Sequence, residues 1–127
     1  MTKPLKPTAS ELAILQVLWE RGPSTVREVH ESLNEKKALG YTTVLKLMQI
    51  MTVKGLVRRD EKQRAHVYEV CQPAERTKRE FAADLLQRVF DGSASDLMLH
   101  ALATHSASKK EMEELRRLLD EYERKLR

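Results

Sequence analysis

Apolar residues recur at every third or fourth position through most of the chain, and this spacing is typical of amphipathic α-helices. The first half contains three such segments. We predict helices at residues 9–21, directly after Thr25, and from residue 41 or 42 to residue 54. Their predicted core-facing residues are Leu12, Leu15, Leu18 and Trp19; Val26, Val29 and Leu33; and Val44, Leu47, Met48 and Met51. With a short polar turn at residues 36–40, they form the outline of a helix-turn-helix unit.

Short sequence signals mark where the helices begin and end. A Ser or Thr followed three residues later by Glu is a capping box, in which each side chain bonds the other residue's backbone N–H. The predicted boxes are Thr8 with Glu11, Thr25 with Glu28, and Ser108 with Glu111. Gly55 is suited to the left-handed turn that ends a helix.

The apolar period shortens after Gly55, which indicates strands rather than helices. We predict two short strands at residues 56–59 and 65–70 around a polar tip at residues 60–64. A β-hairpin directly after the third helix is the wing of a winged helix. Residues 1–72 are therefore predicted to form a winged helix-turn-helix domain of three helices plus a β-hairpin wing.

From Pro73 onward the pattern is helical again, with helices predicted at residues 74–91, at 95–105 and after Ser108. They are too few and too short to bury their apolar faces alone. We therefore predict that residues 73–127 are a three-helix dimerisation region of a homodimer, in a fold that is mainly α. The predicted dimer contacts are Phe81, Leu85, Val89, Leu102, Met112, Leu115, Leu119 and Tyr122.

The positive charge is confined to the first half. The whole chain has a net charge of +4. Residues 1–72 contain 12 Lys and Arg against 8 Asp and Glu, whereas residues 73–127 contain 11 of each. This asymmetry favours a nucleic-acid surface on the helix-turn-helix half, and double-stranded DNA is the predicted partner.

Several other classes of protein are not indicated. No apolar run could span a bilayer, and Met1–Pro4 do not begin a secretory signal, so a soluble cytoplasmic protein without membrane insertion is expected. The lone Cys71 cannot form an internal disulfide. Without a phosphate-binding glycine loop, a nucleophile elbow or an HExxH motif, no enzyme and no cofactor are predicted.

A metal site is not predicted either. His66 and Cys71 lie five residues apart on or just after a strand, which directs them to opposite faces. His100 and His105 are also five apart, and ligands on one helix face lie three or four apart. Neither pair matches a compact zinc motif.

The third helix is the predicted recognition helix, whose first residues reach base edges in the major groove. Hydroxyl, amide and ammonium groups on it can contact bases or phosphates, and cations around the hairpin can add contacts to the backbone. The predicted DNA-binding residues are Tyr41, Thr42, Thr43, Lys46, Gln49, Arg58, Arg59, Lys62 and Arg64. Helix capping by Thr42 and Thr43 is the alternative for those two residues. Lys54, at the helix C-terminus, is interpreted as structural.

Four stretches of the sequence resemble the penicillinase-repressor (BlaI/MecI-like) family. They are residues 8–12 with Trp19, residues 26–29, the run 40–46 (Gly-Tyr-Thr-Thr-Val-Leu-Lys), and 54–59 (Lys-Gly-Leu-Val-Arg-Arg) followed by Val67 and Tyr68. The resemblance implies a dimeric repressor that binds a dyad-symmetric operator. Many members regulate β-lactam resistance genes, often with a membrane sensor-protease that cleaves the repressor.

Three features depart from relatives in the family. The penicillinase repressors are cut at an Asn-Phe bond, whereas here the run at residues 97–99 leads to His100-Ala101. The chain ends without the cysteine cluster of the copper-responsive branch. Ile50 replaces a common Arg of the third helix and, with Val53, is predicted to expose apolar surface there.

The sequence therefore predicts a homodimeric, sequence-specific transcriptional repressor. Two alternatives belong to other classes. One is a winged-helix protein-interaction module that does not bind DNA, favoured by the apolar end of the third helix. The other is a regulator that senses a small molecule between the tail helices.

Overall fold

The computed structural model describes residues 6–35 and 38–126. Met1–Pro4 and the first two residues of the predicted polar turn lie outside these ranges. The elements are α1 (Ala9–Arg21), β1 (Ser24–Thr25), α2 (Val26–Asn34), α3 (Tyr41–Lys54), β2 (Val57–Asp60), β3 (Val67–Val70), α4 (Ala74–Arg88), α5 (Ala94–Thr104) and α6 (Lys109–Lys125). The predicted mainly helical, winged helix-turn-helix fold is confirmed.

Side-chain caps fix where α1 and α2 begin. The Thr8 and Thr25 side chains each accept a hydrogen bond from the backbone N–H three residues on. The Glu11 and Glu28 carboxylates in turn accept a hydrogen bond from the backbone N–H of the cap residue. Both predicted capping boxes are therefore present. The third is only half formed, because the Ser108 side chain accepts from the Glu111 N–H while the Glu111 carboxylate contacts His105 Nε2 at 2.9 Å.

Replacing Thr25 with alanine is expected to lower the free energy of unfolding by about 1 kcal/mol, since an N-cap acceptor is lost. Thr25 also donates its hydroxyl to Glu28 Oε1 at 3.1 Å, so two bonds disappear. Urea denaturation followed by circular dichroism measures the change. The matched control is Thr25→Ser, which keeps the oxygen; a loss as large as that of Thr25→Ala would show that the methyl group, not the cap, matters.

The small sheet has three strands, one more than the predicted hairpin. Its order is β1-β3-β2, and both pairings are antiparallel. Ser24 lies opposite Tyr68 in the first pairing, and Arg59 lies opposite Tyr68 in the second. Both strands of the predicted hairpin are present, and β1 was missed because a two-residue strand has no alternation to detect. Strand β1 ties the hairpin to the helices.

The core of the winged helix consists of apolar side chains from all three helices and two strands. Val57 and Tyr68 alone come from the strands, and both are almost fully buried. The buried apolar residues are Ile14, Leu15, Leu18, Val26, Val29, Leu33, Val44, Met48, Met51, Val57 and Tyr68. Of the helix residues predicted to face the core, Leu12, Trp19 and Leu47 are only partly buried, and the latter two pack against this cluster. Ile14, which was not predicted to face the core, is fully buried. The hairpin is thereby fixed against α3.

The chain divides into two compact units, Met1–Lys78 and Arg79–Arg127. The start of α4 belongs to the first unit. Thr77 is buried and accepts a hydrogen bond from Gln72 Nε2 at 2.7 Å, and the Lys78 ammonium lies 5.7 Å from the centre of the Trp19 ring. The domain division predicted after residue 72 stays a prediction, because compactness in one chain does not test independent folding.

The second unit has helices but no buried side chain between residues 79 and 126. The helix predicted to reach residue 91 ends at Arg88, because Asp91 and Gly92 take left-handed backbone conformations. Ser93 then caps α5 by accepting from the Asp96 N–H. No helix among the described residues has the length and apolarity to cross a membrane.

Candidate nucleic-acid interface

The outward face of α3 follows from the three side chains that it buries. Val44, Met48 and Met51 have no exposed surface. With 3.6 residues per turn, the opposite face contains the line Thr42, Lys46, Gln49 and Val53. Its first three members are exposed, so the structure presents a hydroxyl, an ammonium and an amide along one ridge.

The N-terminus of α3 is held without a side-chain cap. Gly40 occupies the N-cap position, and among the described residues no side chain caps the helix. Thr42 and Thr43 therefore do not cap the helix, and both are exposed. Tyr41 is half-exposed, and its ring packs edge-on against His30 of α2, with 5.8 Å between ring centres. Free amides and exposed hydroxyls together form a surface suited to phosphate.

A buried ion pair joins the first turn of α1 to the last turn of α3. Lys54 Nζ, in the last turn of α3, lies 2.7 Å from Glu11 Oε1, and the Glu11 side chain is only 1% exposed. Burial raises the pKa of Glu11, but the Lys54 ammonium and the Thr8 backbone N–H and hydroxyl together outweigh it, so the net pKa is lowered. Lys54 is structural as predicted, although its partner is a carboxylate rather than the helix dipole alone. Sequence reasoning missed this role of Glu11.

Each of the two arginines of strand β2 already has a carboxylate partner within the protein. Arg58 lies opposite Glu69 in the sheet, and its Nε donates to Glu69 Oε1 at 2.6 Å. Arg59, on the other face of the strand, bonds the Glu61 carboxylate and the Tyr68 side chain. Glu69 raises the pKa of Arg58, as Tyr68 and Glu61 raise that of Arg59. The predicted DNA-binding residues of the wing thus include two with partners in the protein.

The cations at the tip of the wing differ from those of the strand. Lys62 and Arg64 are exposed, and no carboxylate of the described residues lies within ion-pair distance of either. The Asp60 side chain accepts a hydrogen bond from the Lys62 N–H at 2.9 Å, which shapes the turn that lacks glycine. Two free positive charges therefore lie at the hairpin end.

The C-terminal half of α3 exposes apolar surface, as the sequence predicted. Val53 is 90% exposed and Ile50 is 39% exposed. The hydroxyl of Thr52, in the same half of the helix, donates a hydrogen bond to the Met48 carbonyl oxygen at 2.9 Å. This patch adjoins the polar ridge and is open to a partner.

The histidines of the second unit contact oxygen atoms of different residues. His100 Nδ1 lies 2.9 Å from the Asp96 carbonyl oxygen, and His105 contacts Glu111. Across the described residues, no three His, Cys, Asp or Glu side chains form a group that could hold a metal ion. Cys71 is exposed and has a free thiol.

Three helices around one core, an uncapped third helix with a polar outer ridge, and a sheet that extends into a cationic hairpin define a winged helix-turn-helix protein. The family model described as Penicillinase repressor matches residues 7–121. The chain belongs to this family. Its members are transcriptional regulators and not enzymes, so the predicted resemblance and the absence of an enzymatic role are confirmed.

Relatives agree with this family assignment, and solved structures agree with the fold. The transcriptional regulator BlaI of Mycobacterium tuberculosis, in strains CDC 1551 / Oshkosh and ATCC 25618 / H37Rv, is 35% identical over 115 residues, covering 89% of this chain and 82% of the relative. The monomeric form of Bacillus licheniformis BlaI, in complex with the blaP half-operator, is 20% identical with a TM-score of 0.51, covering 59% of this chain and 92% of that one. A MarR family protein from Bacillus stearothermophilus is 22% identical with a TM-score of 0.52, covering 96% of this chain and 76% of that one. The two solved structures support the winged-helix fold.

Proposed function

We propose that this transcriptional regulator is a cytoplasmic homodimeric repressor that binds a dyad-symmetric DNA operator through α3 and the wing. The observation that carries the proposal is the polar ridge of α3, which lies opposite the fully buried Val44, Met48 and Met51. A recognition helix needs this arrangement, since its outer face must enter the major groove while its inner face remains fixed. The first-half excess of positive charge favours the same partner.

Base contacts are assigned to the exposed side chains of the first turns of α3. Thr42 and Thr43 can contact thymine methyls or base edges, Gln49 can pair with adenine, and Lys46 can pair with guanine. Tyr41, whose ring packs against His30, can contact a phosphate through its hydroxyl. The wing adds phosphate contacts through the free tip cations Lys62 and Arg64. Arg58 and Arg59 can join them by sharing or exchanging their partners within the protein.

The second unit is proposed to pair with its copy, since it buries no side chain in the single chain between residues 79 and 126. Helix α6 has a heptad seam, with apolar residues spaced by three and four positions. The seam residues are Met112, Leu115, Leu119, Tyr122 and Leu126, and the last three are 67%, 62% and 88% exposed. The sequence-predicted contacts Phe81, Leu85, Val89 and Leu102 supply further apolar surface, of which Val89 is 64% exposed.

Charges beside the seam also favour a second copy. Glu111 and Lys125 flank it near opposite ends of α6, and Arg116 and Glu123 flank it nearer the centre. In an antiparallel pair of α6 helices, each of these residues faces the opposite charge of its counterpart. Such flanking charges set the orientation of paired helices. We therefore propose an antiparallel α6 pair at the dimer contact.

The target and the inducing signal are proposed only as classes. BlaI of Bacillus licheniformis is bound to the blaP half-operator, and operators of β-lactam-resistance genes are accordingly the first candidates. A membrane sensor-protease is the partner implied by the family resemblance. The bond His100-Ala101 lies within α5, where the Thr104 hydroxyl donates to the His100 and Ala101 carbonyls. A protease would have to unwind α5 to cut there.

The deciding experiment is fluorescence anisotropy with the DNA upstream of the protein's own gene, with a scrambled duplex as reference, over a salt series. Wild-type protein is expected to prefer the upstream dyad, and Lys46→Ala to weaken that binding about tenfold, the size of one base contact. Lys110→Ala on α6 is the charge-matched control and is expected to change nothing. A tenfold loss with Lys110→Ala as well would show that net charge, rather than α3, determines affinity.

The exposed Ile50 and Val53 favour one alternative, a protein-interaction module. In that case both duplexes bind weakly and equally, and Lys46→Ala makes no difference. A regulator that does not control its own gene gives the same result on this DNA, so operators of β-lactam-resistance genes are measured in the same series. Failure on every duplex would overturn the repressor proposal.

A further inference from the structure

The outer face of the wing carries an arginine that the protein itself neutralises. Arg58 and Glu69 are direct cross-strand neighbours in the pairing of β2 with β3. Val57 and Tyr68, the residues next to them in each strand, are buried in the core. Because side chains alternate between the faces of a strand, Arg58 and Glu69 both lie on the face away from the core. Their 2.6 Å contact fixes the guanidinium over the sheet.

We propose that Glu69 holds the Arg58 guanidinium away from DNA, and so limits the affinity of the wing for any duplex. The inference rests on the proposed function, because it concerns the strength of the same DNA contact. Residues 57–70 contain four cations (Arg58, Arg59, Lys62, Arg64) and three anions (Asp60, Glu61, Glu69), a net charge of +1. Without Glu69 this net charge doubles to +2.

Whether Arg58 contacts DNA depends on the competition between Glu69 and a phosphate for its guanidinium. It does not depend on how much the Arg58–Glu69 ion pair stabilises the fold. Both side chains are largely exposed, at 65% and 43%, and an ion pair in water contributes little to stability. Glu69, however, is fixed opposite Arg58 by the strand register, whereas a phosphate reaches it only when DNA is bound. The Glu69 carboxylate is therefore the partner of Arg58 whenever DNA is absent. The free cations at the tip, Lys62 and Arg64, remain for the phosphates.

The effect falls on affinity and not on base recognition. Phosphate contacts carry no sequence information, so an additional one strengthens operator and scrambled duplex equally. Weak electrostatic attachment also makes a repressor easier to remove when its dimer is weakened, because each head alone then binds poorly. Glu69 is accordingly a positioning residue that sets how tightly the wing holds the DNA backbone.

The test measures the salt dependence of duplex binding by Glu69→Gln. The logarithmic slope is expected to steepen by about 0.9, the value for one more neutralised phosphate. Affinity for both duplexes is expected to rise about three- to fivefold, the size of one exposed ionic contact. The double variant Glu69→Gln with Arg58→Gln is expected to return to the wild-type slope, because the released guanidinium is then gone.

Glu75→Gln is the matched control, since it adds the same charge on an exposed position of α4, outside the wing. An unchanged slope for Glu69→Gln overturns the inference, as does an equal change for Glu75→Gln or a steeper slope that persists in the double variant. A wild-type protein without any duplex binding overturns the proposed function instead. The two failures are therefore distinguishable.

Discussion

Lys54→Met is expected to lower the free energy of unfolding by about 3 kcal/mol, because it leaves the buried carboxylate of Glu11 without its cation. Glu11 is 1% exposed and Lys54 is 19% exposed, so water replaces the ammonium poorly. Methionine fills similar space but supplies no charge. The pair joins the first turn of α1 to the last turn of α3, so its loss weakens the support of the recognition helix as well. Urea denaturation at pH 7 measures the change.

Two control variants separate charge from shape at this position. Lys54→Arg keeps a cation and is expected to cost about 1 kcal/mol or less, as the pair survives in altered geometry. Glu11→Gln combined with Lys54→Met removes the unpaired charge and is expected to recover part of the stability. A cost for Lys54→Arg equal to that of Lys54→Met would contradict the assigned role of the ion pair.

The same pair gives an expected pH dependence. The pKa of Glu11 is lowered in the folded protein from its ordinary value of 4.5. A lowered pKa stabilises the fold above the unfolded value, and this stabilisation is lost as the pH falls through the folded value. The stability difference between wild type and Lys54→Met is therefore expected to shrink as the pH falls from 7 to below 4.5. A difference that stays constant over this range would contradict an ionised Glu11.

Local signals determined how well the sequence predicted the helices. The capping boxes of Thr8 and Thr25 and the apolar spacing of α3 depend on residues three or four apart, and the boundaries of α1 and α3 agree with the structure. Strand β1 escaped prediction because it exists only through its pairing with β3. The Ser108 box failed in part because His105, in the loop before α6, competes for the Glu111 carboxylate.

The sequence predicted which residue types lie at the candidate site, but not the ion pairs that they form. The period of α3 was enough to place Thr42, Lys46 and Gln49 on one exposed face. The commitment of Arg58 to Glu69 required the strand register, which the sequence did not supply because the hairpin tip lacks glycine. Glu11 and Lys54 lie 43 positions apart, and no local pattern joins them. Contacts between distant residues are thus what the structure adds.

Leu119→Glu is expected to reduce operator affinity about 100-fold, because it places a charge in the proposed α6 seam and separates two linked DNA-binding heads. Leu119 lies in the middle of the seam, and its 67% exposure in the single chain means that folding of the monomer does not depend on it. Sedimentation velocity should show a monomer, circular dichroism an unchanged helix content, and anisotropy a weak complex on a half-site and full operator alike.

Arg124→Gln is the control, since it makes the same change in net charge on the face of α6 opposite the seam. It is expected to leave both the dimer and operator binding intact. If Leu119→Glu remained dimeric, the contact would have to lie in the rest of the second unit, where Val89, directly after α4, and Leu99 of α5 are each 64% exposed. If the variant were monomeric yet bound the operator as tightly as wild type, one head would suffice, and dyad recognition would be wrong. The second unit would then still pair with its copy, but operator binding would not depend on that pairing.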